Sequence, residues 1–299
     1  MDINRIVAHT DFDGLVSALL LQELLGVEEV VFVEPWQLRD GLFTAHKTDA
    51  VVDLPYPPGG CGLWIDHHAT SARKPAPHEY FDAGAKSCPS VIIALYPGAS
   101  DRLSRFFSLI AAADKIDSAN YTEEDLRSPN AAMQIAAGMD SGRPQRDDYY
   151  KEWLLDQLRQ HSLEEVAASS LVRERFIAAQ RLQEETLAAL EERMTLRGNV
   201  LLVDMMGLGM ARPALLPFLL YQRYPSSSVT LTVRESEEPG RLHVSAGENI
   251  FNRVNRVDIG KLMQEFGGGG HKQAGGCTIP AAQRDELLDR MILVLNENE

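Results

Sequence analysis

Short apolar runs alternating with helical stretches in the first hundred residues constrain this chain more than any other feature. Residues 4–8 (NRIVA), 29–33 (EVVFV), 50–53 (AVVD) and 62–66 (GLWID) have the length and character of strands. Helical patterns cover 15–25, 89–96 and 101–113. Strands alternating with helices predict an α/β domain with a parallel sheet, and such sheets carry their sites beyond the carboxyl ends of the strands.

A helical pattern rich in Ala, Leu and Glu then runs from 162 to 194, long enough for a spacer between domains, until Arg197-Gly198-Asn199 breaks it. A second alternating region follows. Its expected strands are 200–203, 228–233, 241–245 and 277–279, and its expected helices 213–224, 258–266 and 281–295. The economical division is a first α/β domain over 1–160, a helical linker over 161–197 and a smaller α/β domain over 198–299.

The net charge of −14 repels a nucleic-acid duplex unless a local basic groove offsets it, but it leaves short anionic substrates open because bound cations invert the local field. No run of about 18 apolar residues suggests a membrane span. The start MDINRIVAHTD lacks the basic and apolar regions of a secretory signal. Cys61, Cys88 and Cys277 lie far apart with no CxxC pair, which fits free thiols and a cytoplasmic protein.

Three expected strands end in chemistry. After the first comes His9-Thr10-Asp11-Phe12-Asp13-Gly14, after the third Asp53, and Asp66-His67-His68 closes the fourth. Each has an ordinary explanation: Asp11 or Asp13 capping a helix, Asp53 starting a turn, the histidines lying on a loop surface. Three such ends in one parallel sheet are harder to dismiss. Asp114, in Ala111-Ala112-Ala113-Asp114-Lys115-Ile116-Asp117, adds a fourth acidic position, with Asp117 its rival. Carboxylates and imidazoles without thiolate suit a first-row cation such as Mn²⁺ rather than structural zinc. A pair of such ions about 3.5–4 Å apart activates water and neutralises charge at phosphorus.

A different signal lies near the end of the chain. Gly267-Gly268-Gly269-Gly270-His271-Lys272 expose backbone N–H groups and two donor side chains, as a phosphate-binding nest would. A flexible linker fits less well, because structure is expected on both sides.

In this order, His9-x-Asp11-x-Asp13-Gly14, Asp53, Asp66-His67-His68 and Asp114 resemble the four motifs of the DHH phosphoesterase superfamily. Gly267 to His271 with Ala274-Gly275 resembles the signature of its companion DHHA1 domain. The resemblance covers nearly the whole chain. It implies metal ligands at His9, Asp11, Asp13, Asp53, His67 and Asp114, with Asp53 bridging two Mn²⁺ ions that Mg²⁺ or Co²⁺ could replace. It implies His68 near the metals and substrate, with Asp66 supporting a histidine, and substrate contacts from Gly268, Gly269, Gly270 and His271. Ser245-Ala246-Gly247-Glu248 departs from the Ser-x-Arg-Ser of oligoribonuclease relatives, so Arg253 or Arg256 is the expected source of the missing guanidinium.

The activity implied is hydrolysis of short single-stranded oligonucleotides or a small phosphoester such as 3′-phosphoadenosine 5′-phosphate. Exopolyphosphatase and cyclic-dinucleotide phosphodiesterase are the alternatives, and an inactive nucleotide-binding sensor is the non-enzymatic one. A homodimer is compatible with all of them.

Overall fold

In the computed structural model, which describes residues 2–68, 71, 76–139, 147–208, 216–236, 238–270 and 272–297, the chain divides into two compact units. The first comprises Met1–Tyr121 and Ser128–Ile177, the second Thr122–Arg127 and Ala178–Glu299.

The first unit contains β1 (Arg5–His9), α1 (Phe12–Leu25), β2 (Val30–Val33), α2 (Pro35–Arg39), β3 (Asp49–Val52), β4 (Leu63–Asp66), β5 (Glu79–Phe81), α3 (Cys88–Leu95), α4 (Ser100–Leu103) and α5 (Phe107–Asp117). After α6 (Glu123–Arg127), which belongs to the second unit, it continues with α7 (Ala131–Met139), α8 (Asp148–Gln160), α9 (Leu163–Ala167) and the start of α10 (Ser170–Leu190). The five strands lie in the order β2-β1-β3-β4-β5 and every pairing is parallel.

Both faces of this sheet are covered, which is why β1 to β4 are built on apolar runs. Ile6, Ala8, Phe32, Ala50, Val52, Leu63 and Ile65 face a core built with α1, α3 and α5. Val7, Val33, Val51 and Trp64 face a smaller one with Leu38, Ala45 and Leu54. Helix α1 has buried residues all round its axis, as an interior helix should. Asp11 caps its start, and Gly26, at φ 70°, supplies the left-handed residue that ends it. Because the strands run one way in near-equal register, with His9 beside Val33 and Ala8 beside Val52, their carboxyl ends open on a single edge.

The second unit adds β6 (Met194–Arg197), β7 (Val200–Asp204), α11 (Leu216–Arg223), β8 (Val229–Glu235), β9 (Arg241–Glu248), α12 (Ile259–Glu265), β10 (Gly269–Gly270), β11 (Ala274–Pro280) and α13 (Arg284–Asn296). Its sheet has the order β10-β11-β9-β8-β7-β6, antiparallel except for β7 with β8. Val200, Leu231, Val244 and Ile279 of the sheet pack against Met263 of α12 and Met291 of α13. The expected α/β fold, parallel in its first part and smaller in its second, is the fold observed.

Several elements differ from expectation. The helix expected over 101–113 is α4, a 3-10 turn at Ser104–Phe106, and α5, which runs on to Asp117. Strand β5 has no apolar run to announce it; it forms because β4 offers a free edge, pairing Trp64 with Glu79. The stretch expected to be one spacer helix is α9 and α10, and the division between units falls inside α10. The helical pattern stops earlier than expected, since β6 begins at Met194, and the expected break at Arg197-Gly198-Asn199 is the turn from β6 into β7, with Gly198 at φ 65°. Among the described residues no helix is long and apolar enough to cross a membrane.

Candidate metal centre

The edge where the parallel strands end gathers three acidic and histidine motifs. His9 closes β1, and Asp11 follows as the cap of α1, its Oδ1 accepting from Gly14 N–H at 2.9 Å. The capping explanation and the functional one therefore hold for the same residue, since the other oxygen, Oδ2, lies 3.0 Å from His9 Nδ1. Gly14 is obligatory here: a Cβ would stand 2.2 Å from the His9 carbonyl oxygen.

Asp13 is buried and held by Cys88 N–H at 3.0 Å from Oδ2 and by the Ser17 hydroxyl at 3.2 Å from Oδ1. Its Oδ2 is 3.4 Å from His67 Nε2. Asp53 sits at φ 56°, a left-handed conformation unusual for a residue with a side chain. Its carboxylate lies 3.4 Å from His9 Nδ1, 3.5 Å from His67 Nε2 and 3.6 Å from His68 Nδ1. Asp66 is fully buried, and its Oδ1 accepts from the backbone of His67 and from His68 Nδ1, each at 2.8 Å. His67 places Nδ1 3.4 Å from the Ala85 carbonyl, so that ring nitrogen is the donor and Nε2 is free to face the carboxylates.

The two acids at the end of α5 part company. Asp117 Oδ2 is 3.5 Å from His67 Nε2. Asp114, the residue expected in this role, instead accepts from the hydroxyls of Ser87 and Ser90, both at 2.6 Å on Oδ1. Glu34, absent from the expected set, stands directly after β2 with Oε2 3.6 Å from His9 Nε2. The signal that could have found it is the same one that marks the others: an acid directly after an apolar run of this sheet.

The buried acids and histidines of this edge shift one another's protonation. Burial, with the charges of Asp53, Asp11 and Asp117, pushes Asp13 well above the carboxylate range. Burial and the charge of Asp11 raise Asp53, and burial and Asp53 raise Asp117 to about 6. Burial would raise Asp11 too, but the His9 charge outweighs it and holds Asp11 at about 2. His68 is raised to about 9, mainly by its hydrogen bond to Asp66.

Whether this set fits a cation is decided by its unsatisfied atoms. His9 Nδ1, both oxygens of Asp53, Asp66 Oδ2 and His67 Nε2 are buried without a hydrogen-bond partner, where buried polar groups are normally paired. The ligand atoms form three groups, each spanning no more than 4.8 Å: His9, Asp11, Asp53; Asp53, His67, His68; and Asp13, His67, Asp117. Each group could hold a metal ion, and the donor chemistry of carboxylate and imidazole without thiolate suits Mn²⁺ or Mg²⁺.

The glycine run of the second unit takes a different form from an open nest. Gly267 and Gly268 donate their N–H groups to the Gln264 and Met263 carbonyls at the end of α12. Gly269 and Gly270 pair with Gly276 and Gly275 as β10 and β11. A Cβ at Gly268 would lie 2.0 Å from the Gly276 carbonyl oxygen and one at Gly270 2.3 Å from that of Ala274, whereas Gly269 faces open space. Packing alone thus accounts for two of these glycines. Arg253 is exposed and steadied by its own Nε donating to the Ile250 carbonyl at 3.2 Å. His271 lies outside the described residues.

The DHHA1 domain model matches residues 220–297. No curated protein sequence matches the chain. Among solved structures, the pGpG-specific phosphodiesterase PggH of Vibrio cholerae has a TM-score of 0.80 at 25% identity, over 99% of this chain and 100% of its own. RecJ of Thermus thermophilus in complex with Mn²⁺ has a TM-score of 0.61 at 16% identity, over 97% of this chain and 51% of RecJ. An exonuclease RecJ bound to manganese has 0.57 at 15%, over 98% and 90%. At those identities the RecJ likenesses show the fold.

Proposed function

We propose that this chain, a DHH/DHHA1 phosphoesterase by its matched domain and its fold, is a divalent-cation-dependent phosphodiesterase of very short single-stranded oligonucleotides. The observation that carries the reading is the convergence of unsatisfied carboxylate oxygens and imidazole nitrogens around Asp53 and His67, each of which belongs to two of the three ligand groups.

His9, Asp11 and Asp53 would hold one Mn²⁺, and Asp13, Asp53, His67 and Asp117 a second, with Mg²⁺ or Co²⁺ as substitutes. When bound, the ions lower the pKa of water and neutralise charge on a phosphate in flight. The remaining residues prepare the reaction. Asp66 fixes the His68 ring through Nδ1, and that hydrogen bond raises its pKa to about 9, so a protonated ring could donate from Nε2 to a phosphate oxygen or to the leaving oxygen. Ala85 fixes the tautomer of His67 in the same manner, leaving Nε2 as a lone pair. In the second unit, the open Cβ position of Gly269 and the exposed guanidinium of Arg253 support these two as the groups that would bind substrate phosphate.

Dinucleotides are the favoured substrate class because the likeness to the pGpG-specific enzyme extends over both chains almost completely. The test is a panel of a 5′-phosphorylated dinucleotide, a five-residue oligomer, 3′-phosphoadenosine 5′-phosphate and polyphosphate, at fixed Mn²⁺ and after dialysis against chelator. The dinucleotide is expected to turn over fastest, and nothing to turn over in chelator. Undiminished activity in chelator, or a preference for polyphosphate, would refute the assignment.

A further inference from the structure

We infer that Glu34 is a positioning residue: its carboxylate faces Nε2 of His9, favours the proton on that nitrogen and so reserves Nδ1 as the lone pair presented to a cation. The inference rests on reading His9 as a metal ligand.

The geometry begins with the sheet. Strand β1 pairs with β2 so that His9 lies beside Val33, which brings Glu34, the residue directly after β2, alongside His9 and Thr10. Glu34 is then fixed from two sides. Its backbone N–H donates to Gln37 Oε1 at 2.8 Å across the first turn of α2, and its Oε1 accepts from the Thr10 hydroxyl. The other oxygen, Oε2, is thereby left facing His9 Nε2 at 3.6 Å. That is an ion-pair separation, a few tenths of an ångström beyond a hydrogen bond.

The opposite side of the ring supplies the second half of the argument. His9 Nδ1 approaches Asp11 Oδ2 to 3.0 Å and Asp53 Oδ2 to 3.4 Å, yet it is buried and makes no hydrogen bond to either. Close oxygens at the wrong angles for a proton are what ligands converging on a common point look like. A neutral imidazole has one N–H. If Nδ1 gives its lone pair to a cation, the proton must sit on Nε2, and a carboxylate there fixes both tautomer and ring orientation and raises the basicity of the donor nitrogen.

A purely structural role competes with this one, because Glu34 also caps α2. The experiment therefore measures Mn²⁺ affinity of the full chain, by the electron paramagnetic resonance of free Mn²⁺, in wild type, Glu34→Ala, Glu34→Gln and Gln37→Ala. Glu34→Ala is expected to weaken binding about 10–100-fold, the usual cost of losing a group that orients a ligand. Glu34→Gln keeps an acceptor oxygen and should recover most of that loss. Gln37→Ala breaks the turn of α2 but leaves the carboxylate, so its affinity should stay near wild type. The inference is overturned if Glu34→Ala binds as wild type, if Gln is as damaging as Ala, or if Gln37→Ala loses as much. Wild-type protein that binds no Mn²⁺ would remove the metal reading itself, and this inference with it.

Discussion

Asp53 combines three properties that seldom occur together: full burial, two unsatisfied carboxylate oxygens and a left-handed backbone. Such a conformation costs on the order of 1–3 kcal/mol and persists only where the surroundings impose it; here the N–H donating to the Ile65 carbonyl holds the turn. Asn tolerates left-handed backbone as Asp does, so Asp53→Asn isolates the charge. In chelator this variant is expected to melt no lower than wild type, because the amide removes a charge that burial and Asp11 disfavour. With Mn²⁺ it should bind less metal and lose at least the roughly 100-fold in activity that marks the upper range for groups merely orienting a ligand. Metal analysis by mass spectrometry beside calorimetry checks both halves, and unchanged stoichiometry would exclude a bridging role. The same assay separates Asp117→Asn, expected to lose metal, from Asp114→Asn, expected to keep it. The sequence could not choose between these two, since residues one turn apart on α5 share a face. Only Ser87 and Ser90, distant in sequence, reveal that Asp114 is already engaged.

At the scale of elements, what could be read in advance was the position of the parallel strands. β1 to β4 have apolar runs because both faces of their sheet are covered, and the residues following those runs are brought to one edge by register alone. β5 and β6 were hidden for the opposite reason: each pairs at the margin of its sheet, where the partner strand rather than side-chain burial dictates the conformation. The glycine run was readable as special but not in detail. Its sequence gives four equivalent residues, whereas the fold gives each a separate duty. Gly268→Ala is therefore expected to destabilise the second unit by about 1–3 kcal/mol, the cost of overpacking, because its Cβ meets Gly276 and Cys277. Gly269→Ala meets nothing within 4 Å, so its melting temperature should stay at the wild-type value. If substrate phosphate approaches there, KM should rise with kcat held. Unchanged kinetics in this variant would remove Gly269 from the binding surface.

For the molecule as a whole, the net charge of −14 makes the metal-free state informative. Burial and the charge of Asp53 raise Asp13, burial and the charge of Asp11 raise Asp53, and Asp117 is raised to about 6. A carboxyl whose folded pKa exceeds its unfolded value stabilises the native state below the unfolded pKa, and that contribution disappears as pH climbs through the folded one. In chelator, the first unit should accordingly lose stability as pH rises through about 6. Cations reverse the sign. Each one displaces protons from Asp13, Asp53 or Asp117, so apparent Mn²⁺ affinity should grow with pH across the same interval and binding should release protons. At Mn²⁺ near 100 times its dissociation constant, mass action adds about 2.7 kcal/mol. For a unit of this size that raises the melting temperature by roughly 5–10 °C. Calorimetric titration at pH 6 in two buffers of different ionisation enthalpy counts the protons released, and scanning calorimetry with and without Mn²⁺ at pH 5, 6 and 7 follows stability. Equal heats in both buffers, or a metal-free protein that grows more stable over this range, would show that the carboxylates of the centre are already ionised and that its unsatisfied atoms are not waiting for a cation.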